Sequence, residues 1–150
     1  MRLTPMEIAL LEAQSAKKQD EIPVGAVITH GQTIIARAGN YIKNPHDPTG
    51  HAEMRVIRIA CQIFKSERIP ECDIYVTLEP CAMCAAAISF ARIRNLYYAT
   101  SDSKGGAIEH GPRFYQQPTC HHRPNVYSGF KEKEASQLLK DFFIQKRHQK

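Results

Sequence analysis

No stretch of about 18 apolar residues occurs in this chain of 150, so no segment of it is expected to span a membrane. Residues 1–12 carry one arginine and no long apolar core, which is not the pattern of a secretory leader. Cysteines are few and odd in number, at 61, 72, 81, 84 and 120. Without an export signal, free thiols in a reducing cytoplasm are expected in place of a disulfide framework. Internal repeats and a dividing linker are missing as well, and the length suits one ordinary domain with a sizeable core. Residues 1–150 therefore read as a single domain.

What is present is the composition of a folded soluble protein. Hydrophobic residues make up 43% and both charge signs occur, which excludes a disordered segment. The formal net charge is +5. That balance suits an acidic partner such as RNA, because lysine and arginine displace condensed counterions from phosphates. Charge alone does not single out RNA, since many basic proteins bind none.

Periodicity places helices and strands in alternation. Thr4-Pro5-Met6-Glu7 is a helix start: Thr4 can cap, Pro5 suits the first helical position, and Glu7 completes a capping box. Leu10, Leu11, Ala13 and Ala16 supply the apolar stripe of that helix. Residues 24–29 and 33–38 are β-branched runs around His30-Gly31, the signature of a hairpin. Residues 40–50 hold Asn-Pro, Asp-Pro and Gly, a loop that delivers the chain to His51. From Ala52 onward Val56, Ile59, Ala60 and Ile63 recur at helical spacing. After a polar connection over 67–73, a strand runs to Leu78 and stops at Glu79-Pro80, where proline marks the switch into a helix over 82–88. Residues 93–100 read as a further strand and 101–128 as the least regular stretch. Ala135, Leu138, Leu139, Phe142 and Phe143 outline a closing amphipathic helix; the adjacent phenylalanines can hardly both face one core, so two partly buried side chains are expected, with one packed and the other bordering the site as the alternative. This alternation predicts an α/β three-layer domain.

The residues with chemistry to offer fall where these elements meet, at His51-Ala52-Glu53 and Pro80-Cys81-Ala82-Met83-Cys84. His51, Cys81 and Cys84 suit a tetrahedral zinc, and three protein ligands leave one corner for water, as in catalytic sites. Glu53 is a carboxylate beside the metal that need not bind it, and can carry protons between the water and a substrate nitrogen. Residues two apart on a regular helix point about 200° apart. His51 and Glu53 can therefore serve one site only if the first turn is irregular or the glutamate reaches round from the helix end. A lone Cys-x-x-Cys also fits a redox pair, and a lone His-x-Glu fits nothing in particular. In this order, with 30 residues from His51 to Cys81, they match the zinc-deaminase pattern of His-x-Glu followed by Pro-Cys-x-x-Cys. Cys72 and Cys120 lack comparable partners for a closed site, and Cys61 reads as a small core residue. His121 and His122 beside Cys120 do not make a second site, because neighbours rarely converge on one ion.

With these residues stand Ile22-Pro23-Val24-Gly25-Ala26-Val27, Asn40, Asp47-Pro48-Thr49 and Tyr75-Val76-Thr77-Leu78-Glu79-Pro80-Cys81. Further along are Asp102, Lys104, His122-Arg123, and Leu138-Leu139 to Phe142-Phe143. On them the chain resembles, nearly end to end, the bacterial tRNA-specific adenosine deaminases of the cytidine deaminase-like superfamily. The resemblance implies a three-layer α/β/α sandwich with a five-stranded mixed sheet, whose last two strands run parallel and are joined by a helix. It implies a single zinc-dependent deaminase domain over 1–150, one zinc per subunit on His51, Cys81 and Cys84, and proton transfer by Glu53. Substrate contacts would come from Asn40, Ala52 and Asp102, with Asp102 meeting the ribose. It implies also a cytoplasmic homodimer with active sites near its interface, acting on a tRNA anticodon stem-loop whose wobble adenosine becomes inosine.

The chain departs from the family pattern at Gly50, where alanine is usual and only a small packing change is expected. It departs also at Ser101, Gly105 and His121, in the stretch that would meet RNA. The bland alternatives are a left-handed turn residue for Asn40 and an ordinary turn cap for Asp102. Lys140, Lys146, Arg147, His148 and Lys150 suit either stem phosphates or a solvated helix face. Two other functions stay open. One is a deaminase of free guanine, adenine or cytosine, or of a nucleoside, on the same fold. The other is an idle RNA-binding subunit that keeps its zinc, against which the presence of Glu53 argues.

Overall fold

The computed structural model describes residues 2–149, so Lys150 of the basic tail lies outside it. The elements run α1 (Pro5–Lys18), β1 (Gly25–His30), β2 (Thr33–Gly39), α2 (Ala52–Phe64), β3 (Cys72–Leu78), α3 (Ala82–Phe90), β4 (Asn95–Thr100), β5 (Asn125–Ser128) and α4 (Glu132–His148), with a short 3-10 helix at Phe114–Gln116 before β5. The five strands form one sheet in the order β2-β1-β3-β4-β5. Pairing of β1 with β2 and with β3 is antiparallel, whereas β3 with β4 and β4 with β5 are parallel. The expected mixed sheet is therefore present.

Alternation along the strands sorts the two cores. Ala26 and Ile28 of β1, Ile74 and Val76 of β3, and Leu96 and Tyr98 of β4 point to one face, where Val56 and Ala60 of α2 and Ala85 and Ile88 of α3 cover them. Val27, Tyr75, Tyr97 and Ala99 point to the other face, against Met6, Ala9 and Leu10 of α1 and Ala135 of α4. Helices thus lie on both faces, giving three layers.

The capping box forms as the sequence predicts, with the Thr4 N–H donating to Glu7 Oε1 at 2.9 Å and the Glu7 N–H to Thr4 Oγ1 at 3.2 Å. Helix α1 lies unusually close to the hairpin. Gly25 and Gly39 are register partners, and a Cβ on either would fall within about van der Waals overlap of the α1 backbone, 1.9 Å from Ala9 O and 2.6 Å from Glu12 O.

Several expectations need correction. Leu11, Ile59 and Ile63 are exposed, so the stripes of α1 and α2 are narrower than the apolar residues suggest. Strand β5 lies inside the stretch read as irregular; only four residues long, with three of them exposed and none buried, it has too little periodicity to announce itself. No α-helix joins β4 to β5 among the described residues; the connection is a loop with the single 3-10 turn at Phe114–Gln116. Phe142 is buried but Phe143 is exposed, because adjacent residues on one helix cannot share one core face. Gly50 is more than a small packing change. A Cβ there would sit 2.1 Å from Tyr41 O, in a loop where the Tyr41 N–H donates to Gly50 O at 2.9 Å.

Candidate metal centre and active site

The first turns of α2 and α3 meet at one end of the sheet, and each brings a side chain from just outside its helix. His51 is the N-cap of α2 and Cys81 the N-cap of α3, both with extended backbone and neither using its side chain as a cap. This removes the constraint set by helical spacing. His51 lies before the helix, so its imidazole need not follow the 100° step that separates helical neighbours, while Glu53 sits in the first turn and points inward. An N-cap side chain normally accepts from the exposed N–H groups of the first turn. Here Asn40 does that work from the preceding loop, accepting the Ala52 N–H on Oδ1 at 2.8 Å, and so leaves the imidazole available.

His51, Cys81 and Cys84 present ligand atoms that all lie within 4.8 Å of one another. Nδ1 of His51 is 3.6 Å from the sulfur of Cys81 and 3.6 Å from that of Cys84. Nitrogen and sulfur ligands at about 2.0 and about 2.3 Å from a tetrahedral ion would themselves be separated by about 3.6 Å. The donor set and its spacing therefore fit zinc. The α2 and α3 N-termini add their positive dipole ends, which favour thiolate.

Electrostatics divide the cluster: Cys81 is drawn toward thiolate, the form that binds a metal, while Cys84 and His51 are pushed toward their protonated forms. A hydrogen bond from Cys84 draws the Cys81 thiol down to about 4, against its burial, and His51 contributes in the same direction. The shared hydrogen bond with Cys81, together with burial, pushes Cys84 far up. Contact with Cys81 raises His51. Glu53 is 4% exposed. Burial pushes its carboxyl up to about 7; its own backbone N–H and the Cys84 thiol pull the other way, as does His51, while Cys81 adds to the rise. A carboxyl poised there can both accept and deliver a proton near neutrality.

The remaining expected residues are placed differently. Asn40 is buried and does not have a positive φ, so the left-handed turn reading is wrong. Ala52 reaches the site through its N–H to Asn40, and its methyl group is in the core. Asp102 caps its own turn, accepting the N–H groups of Lys104 at 3.1 Å and Gly105 at 2.9 Å. It meets the metal-binding end of the sheet through the Asp102 N–H, which donates to Glu79 Oε1 at 3.0 Å. Of the basic tail, Lys146 pairs with Asp20, while Lys140 and Arg147 line a groove of about 300 Å³ with Thr100, Ser101 and the exposed Phe143. The His122 Nε2–H donates to Ile93 O at 2.7 Å, and the Cys120 thiol donates to His122 O at 3.2 Å; among the described residues only His51, Cys81 and Cys84 form a candidate metal group. All five cysteines are free thiols.

Sequence reasoning missed Glu79, which it treated only as the end of β3. A glutamate held at a strand end beside Pro-Cys was the available signal, but its partners lie 23 to 31 residues downstream and carry no pattern of their own.

Comparison with known proteins is consistent with this centre. The model of the MafB19-like deaminase family matches residues 3–147. A tRNA-specific adenosine deaminase of Agrobacterium fabrum is 58% identical over 95% of this chain and 93% of its own length. One from Rickettsia bellii is 44% identical over 92% of this chain and 97% of its own. A solved structure from a study of A-to-I editing by tRNA:A34 deaminases at the wobble position superposes with a TM-score of 0.89, at 58% identity, over 90% of this chain and 98% of the other. A guanine deaminase from Nitrosomonas europaea, at 17% identity and a TM-score of 0.80 over 92% of this chain and 82% of the other, shares the fold.

Proposed function

We infer function from family membership: the chain belongs to the MafB19-like deaminases and, among them, to the tRNA-specific adenosine deaminases. It is a hydrolase that converts adenosine to inosine at the wobble position of a tRNA anticodon. The observation that carries this reading in the molecule itself is the buried carboxylate of Glu53 beside the convergent His51, Cys81 and Cys84.

His51, Cys81 and Cys84 would hold one zinc per subunit, with the cysteines as thiolates. When bound, the zinc supplies acidity to a water and so makes a nucleophile available near neutral pH. Glu53 takes one proton from the attacking water and delivers it to the ring nitrogen beside C6 as the oxygen bonds to C6. It then carries the remaining hydroxyl proton to the amino nitrogen, the bond from C6 to that nitrogen breaks, the C6 carbonyl forms and ammonia leaves. Asn40, held by the Ala52 N–H through Oδ1, keeps its amide NH₂ for the nucleotide, and Asp102 faces the ribose from its capped turn. Helix α4 offers phosphate contacts at Lys140 and Arg147 beside the exposed ring of Phe143, a basic and aromatic pairing that suits single-stranded RNA.

A homodimer is supported by exposed apolar side chains on α2 and α3. Ile59, Ile63 and Phe64 of α2 are exposed, as is Phe90 of α3 at 72%, apolar surface that a second copy would cover. No helix among the described residues is long and apolar enough to cross a membrane, and the cytoplasm is the compartment of the substrate.

The test offers anticodon stem-loops with adenosine at the wobble position beside free guanine, adenine and cytosine, and measures both inosine and ammonia. Inosine in the RNA is expected. Ammonia from a free base with none in the RNA would overturn this reading in favour of a nucleobase deaminase.

A further inference from the structure

Glu79 ends β3 two residues before Cys81, and its side chain has no solvent exposure. A buried carboxylate is costly unless donors surround it. Here five do. Oε1 accepts the Asp102 N–H at 3.0 Å and lies 2.8 Å from His110 Nδ1, while Oε2 accepts the N–H groups of Ile108 at 3.1 Å, Glu109 at 3.0 Å and His110 at 3.2 Å. Three successive backbone N–H groups on one oxygen form an anion-binding nest, with a side chain of the same molecule as the anion.

The loop is fitted to that carboxylate. A Cβ on Gly106 would lie 2.4 Å from Glu79 Cδ and 2.6 Å from Oε2, so the chain passes flush over the acid where only glycine fits. The backbone adds two more ties: the Glu79 N–H donates to Thr100 O at 2.8 Å, and the Ala107 N–H donates to O of the next residue, Pro80, at 2.9 Å. One residue therefore ties both ends of the 102–110 loop to the turn that carries Cys81. Asp102 has its N–H on this acid and spends one oxygen on its own turn, so its position depends on Glu79.

We propose that Glu79 is a positioning residue for the deamination, one that sets the nucleotide-side loop and Asp102 at a fixed place relative to the metal-binding turn without touching substrate or metal. This rests on the deaminase reading above. A glutamine at 79 has nearly the same size but can accept on one oxygen only, and its NH₂ would face N–H groups. The loop would then lose its seat while the His51, Cys81 and Cys84 donors keep theirs.

The experiment compares Glu79→Gln with the unaltered, zinc-loaded enzyme on an adenosine-containing anticodon stem-loop. Glu79→Gln is expected to retain one zinc per chain and to show KM raised by about 10- to 100-fold, the range typical for partners behind a metal site, with kcat falling less. Amide hydrogen exchange, which needs no turnover, should accelerate at Ile108, Glu109 and His110 and stay unchanged in α1. Unchanged KM and amide protection would overturn the proposal, as would zinc, kcat and KM failing together, the pattern of a general loss of fold. Should Glu79→Gln not fold, His110→Ala removes one donor of five and is expected to raise KM severalfold with zinc retained; an unchanged KM there would overturn the proposal equally. An unaltered enzyme that forms no inosine would instead strike the deaminase reading, leaving the exchange result to stand on its own.

Discussion

Glu53 and Glu79 occupy mirrored positions, one two residues after the ligand histidine and the other two residues before the first ligand cysteine, and both are buried, at 4% and 2% exposure. Their surroundings differ in the number of donors. Burial works against ionisation of Glu79 as well, but the Asp102 N–H, the His110 ring and the N–H groups of Glu109 and Ile108 outweigh it and hold the carboxyl below its usual range. At Glu53 burial wins, and the carboxyl rises to about 7. The same side chain is thus a fixed charge in one place and a proton carrier in the other. What separates the two roles is the count of N–H groups around the acid, since each donor that stabilises the anion also withdraws it from proton exchange.

The largest consequence should appear in rate. Glu53→Gln should lower inosine formation by about 10²- to 10⁴-fold in single-turnover assays while zinc content stays near one per chain. Turnover within tenfold of the unaltered enzyme would remove Glu53 from the proton path. Glu79→Gln should instead cost stability, on the order of 3 kcal/mol in urea denaturation, because five donors lose an anionic acceptor. The pH dependence follows from the sign of its shift. A carboxyl whose folded pKa lies below the ordinary 4.5 contributes stability that is complete above that pH and is lost as pH falls through the folded value. Unaltered protein should therefore lose stability below pH 4.5 more steeply than Glu79→Gln; parallel acid limbs would contradict the clamp.

Smaller effects bear on the thiols and on the background. After chelation of the metal, Cys81, half-buried and held down to about 4, should be alkylated at neutral pH about tenfold faster than Cys72, which burial pushes to about 11. Equal labelling of the two, read by mass spectrometry, would show that the cluster does not favour thiolate. Thr4→Ala, which removes the α1 capping box, should cost about 1 kcal/mol and leave inosine formation unchanged. It marks the scale of a purely structural loss, against which the Glu79 variant can be judged.

The order of helices and strands and the metal ligands were legible from residues alone, because periodicity and the His-x-Glu and Pro-Cys-x-x-Cys spacings are local signals. The two helix entrances were legible too, but the freeing of the His51 side chain was not. It depends on Asn40 capping α2 from another loop, a contact across 12 residues with no pattern in between. Strand β5 escaped notice for a related reason, since a four-residue edge strand is defined by its parallel partner β4 and not by its own side chains. The room left at Gly50 depends on the carbonyl of Tyr41, and the clamp at Glu79 on a loop that no spacing connects to it. Chemistry that sits on consecutive residues can be read from sequence; chemistry assembled from backbone N–H groups must be seen.

The contrast between the two acids is tested most directly by the unfolding free energy of zinc-loaded Glu53→Gln. A carboxyl buried with too few donors costs the fold, so neutralising it should leave stability at or above that of the unaltered protein, even though inosine formation is lost. A loss as large as that of Glu79→Gln would mean that Glu53 is held for the fold and not for the proton.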